Sequence, residues 1–175
     1  MWKLTLRLLA VAALCAAFVG VAGAARAQVV AFGASNVSGY GVAERDAFPA
    51  QLQAMLRARG LDVVVLNAGV FGNTTADMRN RVGSDIPQGA KVVILDISGP
   101  YFNNAKKGVS PAQGRADIAA IEAELTGRGI KIIEATAAGP GRQYRQADGV
   151  HLTREGHRLL AGQLLPKVLR ALGRG

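Results

Sequence analysis

The sequence predicts an α/β domain built on a parallel sheet covered by helices on both faces. Three observations carry that prediction. Four short runs, 29–32, 62–67, 91–97 and 130–134, are almost wholly apolar, as strands buried on both faces are. The segments between them repeat apolar residues at helical spacing. The two kinds alternate four times, which calls for parallel strands joined by right-handed crossovers that place the loops after the strands along one rim.

The chain has 175 residues, enough for one domain with a substantial core. Its start reads differently from the rest. Lys3 and Arg7 form a positive end, 8–24 is nearly unbroken apolar sequence, and Ala25-Arg26-Ala27 is an A-x-A cleavage site. Residues 1–27 are therefore expected to be a secretory signal peptide, with 28–175 a single domain in the periplasm or outside the cell. The apolar run is short and exits through small residues, which disfavours an uncleaved anchor, so no stable membrane span is expected after cleavage. Cys15, the chain's one cysteine, falls in that leader, so the mature domain has neither disulfides nor a catalytic thiol. The full chain carries +9, and removing Lys3, Arg7 and Arg26 leaves +6. The remaining basic residues are scattered with few aromatics among them. That reads as a solvated surface rather than a nucleic-acid site.

Each helix has its own signals. Asp46 is a candidate cap, Pro49 suits a first turn, and Phe48, Leu52, Met55 and Leu56 make a stripe that Gly60 ends. Thr74 opens a short helix to about residue 81. Residues 112–128 bury Ile118, Ile121 and Leu125. Residues 153–172 form the last helix, facing the core with Leu159, Leu160, Leu164 and Leu165, and Gly162 and Pro166 permit a bend. The stretch 68–73 reads as a loop. So do the long Gly/Pro/Asn-bearing stretch 98–111 and the stretch 137–149, both long enough to suggest function.

Ser35 lies just past the first strand, where open α/β sheets bind ligands. Alone it reads as a small residue in a strand-to-helix turn. A nucleophilic serine needs a base, and the base an orienting acid. The mature chain has two histidines. His157 falls inside the last helix, on its expected surface. His151 precedes that helix in a loop, three residues after Asp148, close enough for the carboxylate to fold back onto the imidazole. Spacing alone leaves a polar capping turn equally open. The histidines are six apart, which does not place them on one helical face, so no metal is expected. Neither a P-loop nor a dinucleotide fingerprint occurs, so no cofactor is expected. Val37 also stands where the α/β-hydrolase elbow G-x-S-x-G has its last glycine.

Three blocks together, Gly33-Ala34-Ser35-Asn36, Asn67 to Thr75, and Asp148-Gly149-Val150-His151-Leu152-Thr153 followed by Glu155-Gly156-His157, resemble the SGNH (GDSL-type) hydrolases in order and spacing over nearly all of 28–175. The resemblance implies a flavodoxin-like three-layer αβα fold and hydrolysis of small acyl esters through an acyl-enzyme. By position, Ser35 is the nucleophile, His151 the base and Asp148 its partner. The backbone N–H groups of Ser35 and Gly69, with an Asn from the third block, would form the oxyanion hole. Two departures stand out. The usual Gly-Asp-Ser is Gly-Ala-Ser, and the usual Gly-x-Asn-Asp is replaced by Ser98-Gly99-Pro100-Tyr101-Phe102-Asn103-Asn104. Asn103 is the candidate donor and Asn73 a weaker one. Tyr40, Phe71, Tyr101 and Phe102 lie on rim loops as candidate substrate contacts or core anchors. The alternative reading is a weak or inactive relative that binds an envelope carbohydrate or lipid. Oligomeric state is not legible.

Overall fold

The four apolar runs become four parallel strands, β1 (Val29–Gly33), β2 (Val65–Gly69), β3 (Val92–Asp96) and β4 (Lys131–Ala135), in the order β2-β1-β3-β4. The computed structural model describes residues 28–135 and 140–174. The expected leader over 1–27 and part of the 137–149 loop lie outside those residues. The helices are α1 (Ser35–Ser38), α2 (Phe48–Arg57), α3 (Thr75–Asp85), α4 (Ser98–Lys107), α5 (Pro111–Gly127) and α6 (Arg154–Ala171).

Alternation along the strands builds the expected three layers. Val29, Ala31, Val92 and Ile94 pack with Phe48, Leu52 and Leu56 of α2 and Leu160, Leu164 and Val168 of α6. Val30, Phe32, Val93 and Leu95 point the other way, to Met78 and Val82 of α3 and Ile118, Ile121 and Leu125 of α5. Each such side chain contributes about 1.5–3 kcal/mol on burial. A helix cap contributes about 1 kcal/mol, so the two cores dominate. The chain runs outward from β1 to β2 and then crosses to β3 on the other side of β1. That reversal opens a crevice at the carboxyl ends of β1 and β3, and Ser35 is the second residue past β1.

Four local expectations are corrected. The second strand runs 65–69 rather than 62–67, taking in Ala68 and Gly69. As an edge strand it is set by its pairing with β1, from Val29↔Val65 to Gly33↔Gly69, and not by its own apolar run. The stretch 98–107 is helix α4, not loop. Pro100 falls in the first turn, where its missing N–H costs nothing. Its two asparagines are satisfied by tertiary partners, and Lys106 and Lys107 suit its last turn. Asp46 does not cap α2. It sits in a short 3₁₀ turn and pairs with Arg154 at 3.1 Å.

The fourth correction explains the third. His157 is fully buried, and its Nδ1 accepts the Phe48 N–H at 3.3 Å. A histidine from α6 thus satisfies the first orphan donor of α2. Nδ1 can accept only if Nε2 carries the ring proton, and Nε2 is buried with no hydrogen-bond partner among the described residues. Burial accordingly lowers the His157 pKa to about 4. A folded pKa below the unfolded value means that stability is full above about pH 6.5 and falls as pH drops toward 4. The loss expected is on the order of 3 kcal/mol. Urea unfolding at pH 7 and pH 4.5 checks this. His157→Asn, which keeps a short acceptor, should flatten the pH slope by about one proton. Comparing the variant with the parent also removes the contribution of Asp96, whose raised pKa acts with the opposite sign.

Among the described residues, no helix is long and apolar enough to cross a membrane. None of them form a group of three His, Cys, Asp or Glu placed to hold a metal.

Candidate active site

Ser35 begins α1 at the end of β1, almost wholly buried. Its Oγ lies 2.9 Å from His151 Nε2, and His151 Nδ1 lies 2.6 Å from Asp148 Oδ2. The other carboxylate oxygen accepts the Val150 N–H at 2.8 Å and the His151 N–H at 3.0 Å. Gly149 adopts φ +69°, which lets the turn close so that Asp148 folds back on its own loop. The hydrogen bond from His151, supported by those two N–H groups, holds the Asp148 carboxyl well below the usual carboxylate range. An ionised carboxylate only accepts, so the imidazole proton sits on Nδ1 and Nε2 offers its lone pair to the Ser35 hydroxyl. The three residues singled out in the sequence therefore form one hydrogen-bonded chain.

Two residues that sequence reasoning passed over hold this chain in place. Asn36, next to the serine, accepts the Leu152 N–H at 3.0 Å and donates to the Val150 carbonyl at 3.4 Å. It grips the backbone on both sides of His151. Arg81 donates to the carbonyls of Gly33 and Ala68 and to Asn73 Oδ1 at 2.6–2.9 Å, with its guanidinium 4.4 Å above the Phe32 ring. It ties the ends of β1 and β2 together beneath the serine. A buried-side asparagine after the nucleophile was the only signal for the first; nothing in the pattern marked the second.

The expected oxyanion donors fare unequally. No hydrogen bond engages the Ser35 N–H among the described residues. The Gly69 N–H donates to Asn67 Oδ1 at 3.0 Å. A Cβ on Gly69 would collide with Ser38 N and Val37 C, so this glycine serves to let β2 approach the nucleophile turn. Asn103 Nδ2 donates to the Asn73 carbonyl at 2.8 Å, and Lys107 holds the Gly72 carbonyl at 2.9 Å, so α4 clamps the loop after β2. Asn104 is buried against Thr75, bonding its N–H and its hydroxyl. The weaker candidate, Asn73, gives its Oδ1 to Arg81.

The aromatic candidates separate in the same way. Tyr40 and Phe71, both exposed, stack with centroids 4.6 Å apart, and Tyr40 lies 4.5 Å from the largely covered His151 ring. Phe102 lines a depression of about 250 Å³ with Asn36, Ser98, Gly99, Arg145 and Val150. Tyr101 packs on the α3/α5 core and is an anchor.

The model of the GDSL-like lipase/acylhydrolase family matches residues 31–146. The chain belongs to that family. It is accordingly an ester-hydrolysing enzyme of the SGNH type. No curated protein matches it in sequence. Among solved structures, it is similar to AlinE4, an SGNH-hydrolase family esterase, at 26% identity and TM-score 0.55, covering 82% of this chain and 79% of that one. Two more distant likenesses confirm the fold. One is a lipolytic protein of the G-D-S-L family from Desulfitobacterium hafniense DCB-2 (17% identity, TM-score 0.63, 79% and 97% covered). The other is the psychrotrophic esterase EstA from Pseudoalteromonas sp. (12%, 0.67, 83% and 98%).

Proposed function

We propose that this GDSL-family chain is an exported serine hydrolase that cleaves small acyl esters, with Ser35 as nucleophile, His151 as general base and Asp148 as its orienting partner. The observation that carries the reading is the unbroken run from Ser35 Oγ through His151 to Asp148. His151 Nε2 takes the hydroxyl proton as Ser35 Oγ bonds to the ester carbonyl carbon. The tetrahedral adduct collapses with loss of the alkoxide, which receives that proton, leaving an acyl-Ser35. Water, deprotonated by the same imidazole, then releases the acid and restores the hydroxyl.

The Ser35 N–H supplies the oxyanion donor. The single Gly69 N–H is already engaged by Asn67 Oδ1, and a missing donor costs on the order of 10²–10³ in kcat, so modest turnover is expected. The depression beside Asn36 is small by the standard of ligand pockets, and it favours short acyl chains. The stacked Tyr40 and Phe71 offer a face to an aromatic group beside the base. Export rests on the charged, apolar, A-x-A start of the chain.

The test is hydrolysis of p-nitrophenyl acetate, butyrate and octanoate by the chain from Gln28 onward, with Ser35→Ala alongside. Expected is serine-dependent turnover that falls from acetate or butyrate to octanoate. A flat or rising profile would discard the short-chain assignment. Turnover no greater than that of the variant on all three would favour the alternative of an envelope-ligand binder.

A further inference from the structure

One glutamine joins the loop that carries His151 to the loop that carries Tyr40. Gln146 ends the segment 144–146, which runs antiparallel to 151–153 through a bridge between Arg145 and Leu152. Its backbone N–H donates to the His151 carbonyl at 2.7 Å, and its carbonyl accepts the Gly149 N–H at 2.9 Å. The side chain then leaves this turn. Its one amide nitrogen donates to the Leu152 carbonyl at 2.9 Å and, across 106 positions, to the Tyr40 carbonyl at 2.8 Å. Both amide hydrogens are thereby used. The same partners fix the orientation of the amide, because a flipped amide would turn Oε1 against two carbonyl oxygens. A Cβ on Gly41 would collide with Oε1, Nε2 and Cδ of this amide, so the Tyr40 loop approaches it through a glycine.

Tyr40 stands between Gly39 and Gly41, at φ +81° and +80°. Its N–H donates to the Ser35 carbonyl at 3.0 Å, and Gln146 holds its carbonyl. The exposed Tyr40 ring lies with its centroid 4.5 Å from that of His151, whose side chain is only 13% exposed. The bonds to Asp148 and Ser35 fix the two imidazole nitrogens, and a ring packed alongside limits the tilt of the imidazole about them. The imidazolium that forms when His151 takes the serine proton also lies well within the roughly 6 Å over which an aromatic ring attracts a cation. We propose that Gln146 is a positioning residue for the base: its amide pins the Tyr40 loop to the His151 loop and so holds the Tyr40 ring against the imidazole. The inference rests on His151 being the base of the proposed reaction.

Two readouts test this, one of them independent of turnover. The chain has two histidines, so NMR resolves the ring C–H resonances of His151 and His157, and His157→Asn assigns them. An aromatic ring packed on an imidazole displaces those resonances. Tyr40→Leu, which keeps an apolar side chain without the ring, sets the full size of the displacement. Gln146→Met matches the glutamine in length but has no donor, and Gln146→Glu turns a carboxylate toward two carbonyl oxygens. Both should move the His151 resonances most of the way to their Tyr40→Leu positions and leave those of His157 in place. On ethyl acetate, which has no aryl group to stack on Tyr40, both should lower kcat by about 3- to 10-fold with KM within about twofold. The loss of kcat on p-nitrophenyl acetate should be similar, since the base serves both esters. In the Tyr40→Leu background, Gln146→Met should cost less than about twofold.

Unmoved His151 resonances in both Gln146 variants, or an equal loss from Gln146→Met with and without the Tyr40 ring, overturns the proposal while leaving a serine-dependent esterase intact. So does a loss confined to the KM of the aryl ester, which would mean that Tyr40 holds substrate and not the base. Should Gln146→Glu not fold, Gln146→Met, which introduces no charge, carries both readouts. If the parent shows no turnover that Ser35→Ala abolishes, the esterase reading fails instead. The resonances alone then decide whether Gln146 holds Tyr40 on His151.

Discussion

Ser35→Ala should lower kcat on p-nitrophenyl acetate by about 10⁴-fold or more and leave the fold intact. Among the described residues, the hydroxyl's one partner is His151 Nε2. The backbone bonds that shape the turn run through the Ser35 carbonyl, which accepts from Gly39 N, Tyr40 N and Ser38 Oγ, and none of them needs the side chain. Deleting an exchangeable O–H from a pre-built turn removes the attacking atom without removing support, so KM should change little. Active-site titration with a phosphonate ester checks the same point without turnover. Parent protein takes up one equivalent and the variant none. A residual rate within tenfold of the parent, or phosphonylation elsewhere, would mean that another group attacks.

Asp148→Asn is the second large effect, with kcat expected to fall by about 10³- to 10⁴-fold. Asparagine keeps an oxygen for the Val150 and His151 N–H groups, so the turn survives. The atom opposite His151 Nδ1, however, becomes an N–H donor if that oxygen is retained. The imidazole must then carry its proton on Nε2, pointed at a hydroxyl that it can no longer deprotonate. The loss should fall on kcat. Because hydrogen bonding holds the Asp148 carboxyl well below the usual range, the parent's acid limb should not reflect this group. A pH–rate profile of the parent and Asp148→Asn checks both points. The idea fails if the variant retains activity within tenfold at pH 8.

The relation between sequence and structure is clearest at particular residues. Four apolar runs alternating with amphipathic stripes were enough to predict a parallel sheet with two covered faces, because burial on both faces leaves a local compositional mark. Asp148 and His151 were legible for a similar reason. They lie three residues apart in one turn, and a contact across three residues depends on local backbone alone. Placing Ser35 needed more than its neighbours, yet the abrupt end of the first apolar run already put it at a strand's carboxyl end.

Other features left no such mark. The stretch 98–107 has the composition of a loop, since Gly, Pro and two Asn oppose helix propensity. It is helical because Asp96, Thr75 and Asn73 supply hydrogen bonds from elsewhere in the fold. The second strand was misplaced because an edge strand takes its limits from its neighbour. His157 looked like a surface residue because its partner, the Phe48 N–H, lies 109 positions away. Asn36 grips the His151 loop across 114 and 116 positions.

By itself, then, the sequence determined the α/β layering and the family, and through that resemblance it pointed to Ser35, Asp148 and His151, which the fold brings into one hydrogen-bonded chain. Hydrophobic period and short-range turn chemistry are written in consecutive residues. The tertiary structure alone decided that α4 exists, that Asn103 turns an N–H to the Asn73 carbonyl, and that Asp96 at the end of β3 packs close against Gly33. Those outcomes depend on which backbone groups distant segments bring within about 3 Å of one another. That proximity is set when the sheet and helices pack, after every local preference has been expressed.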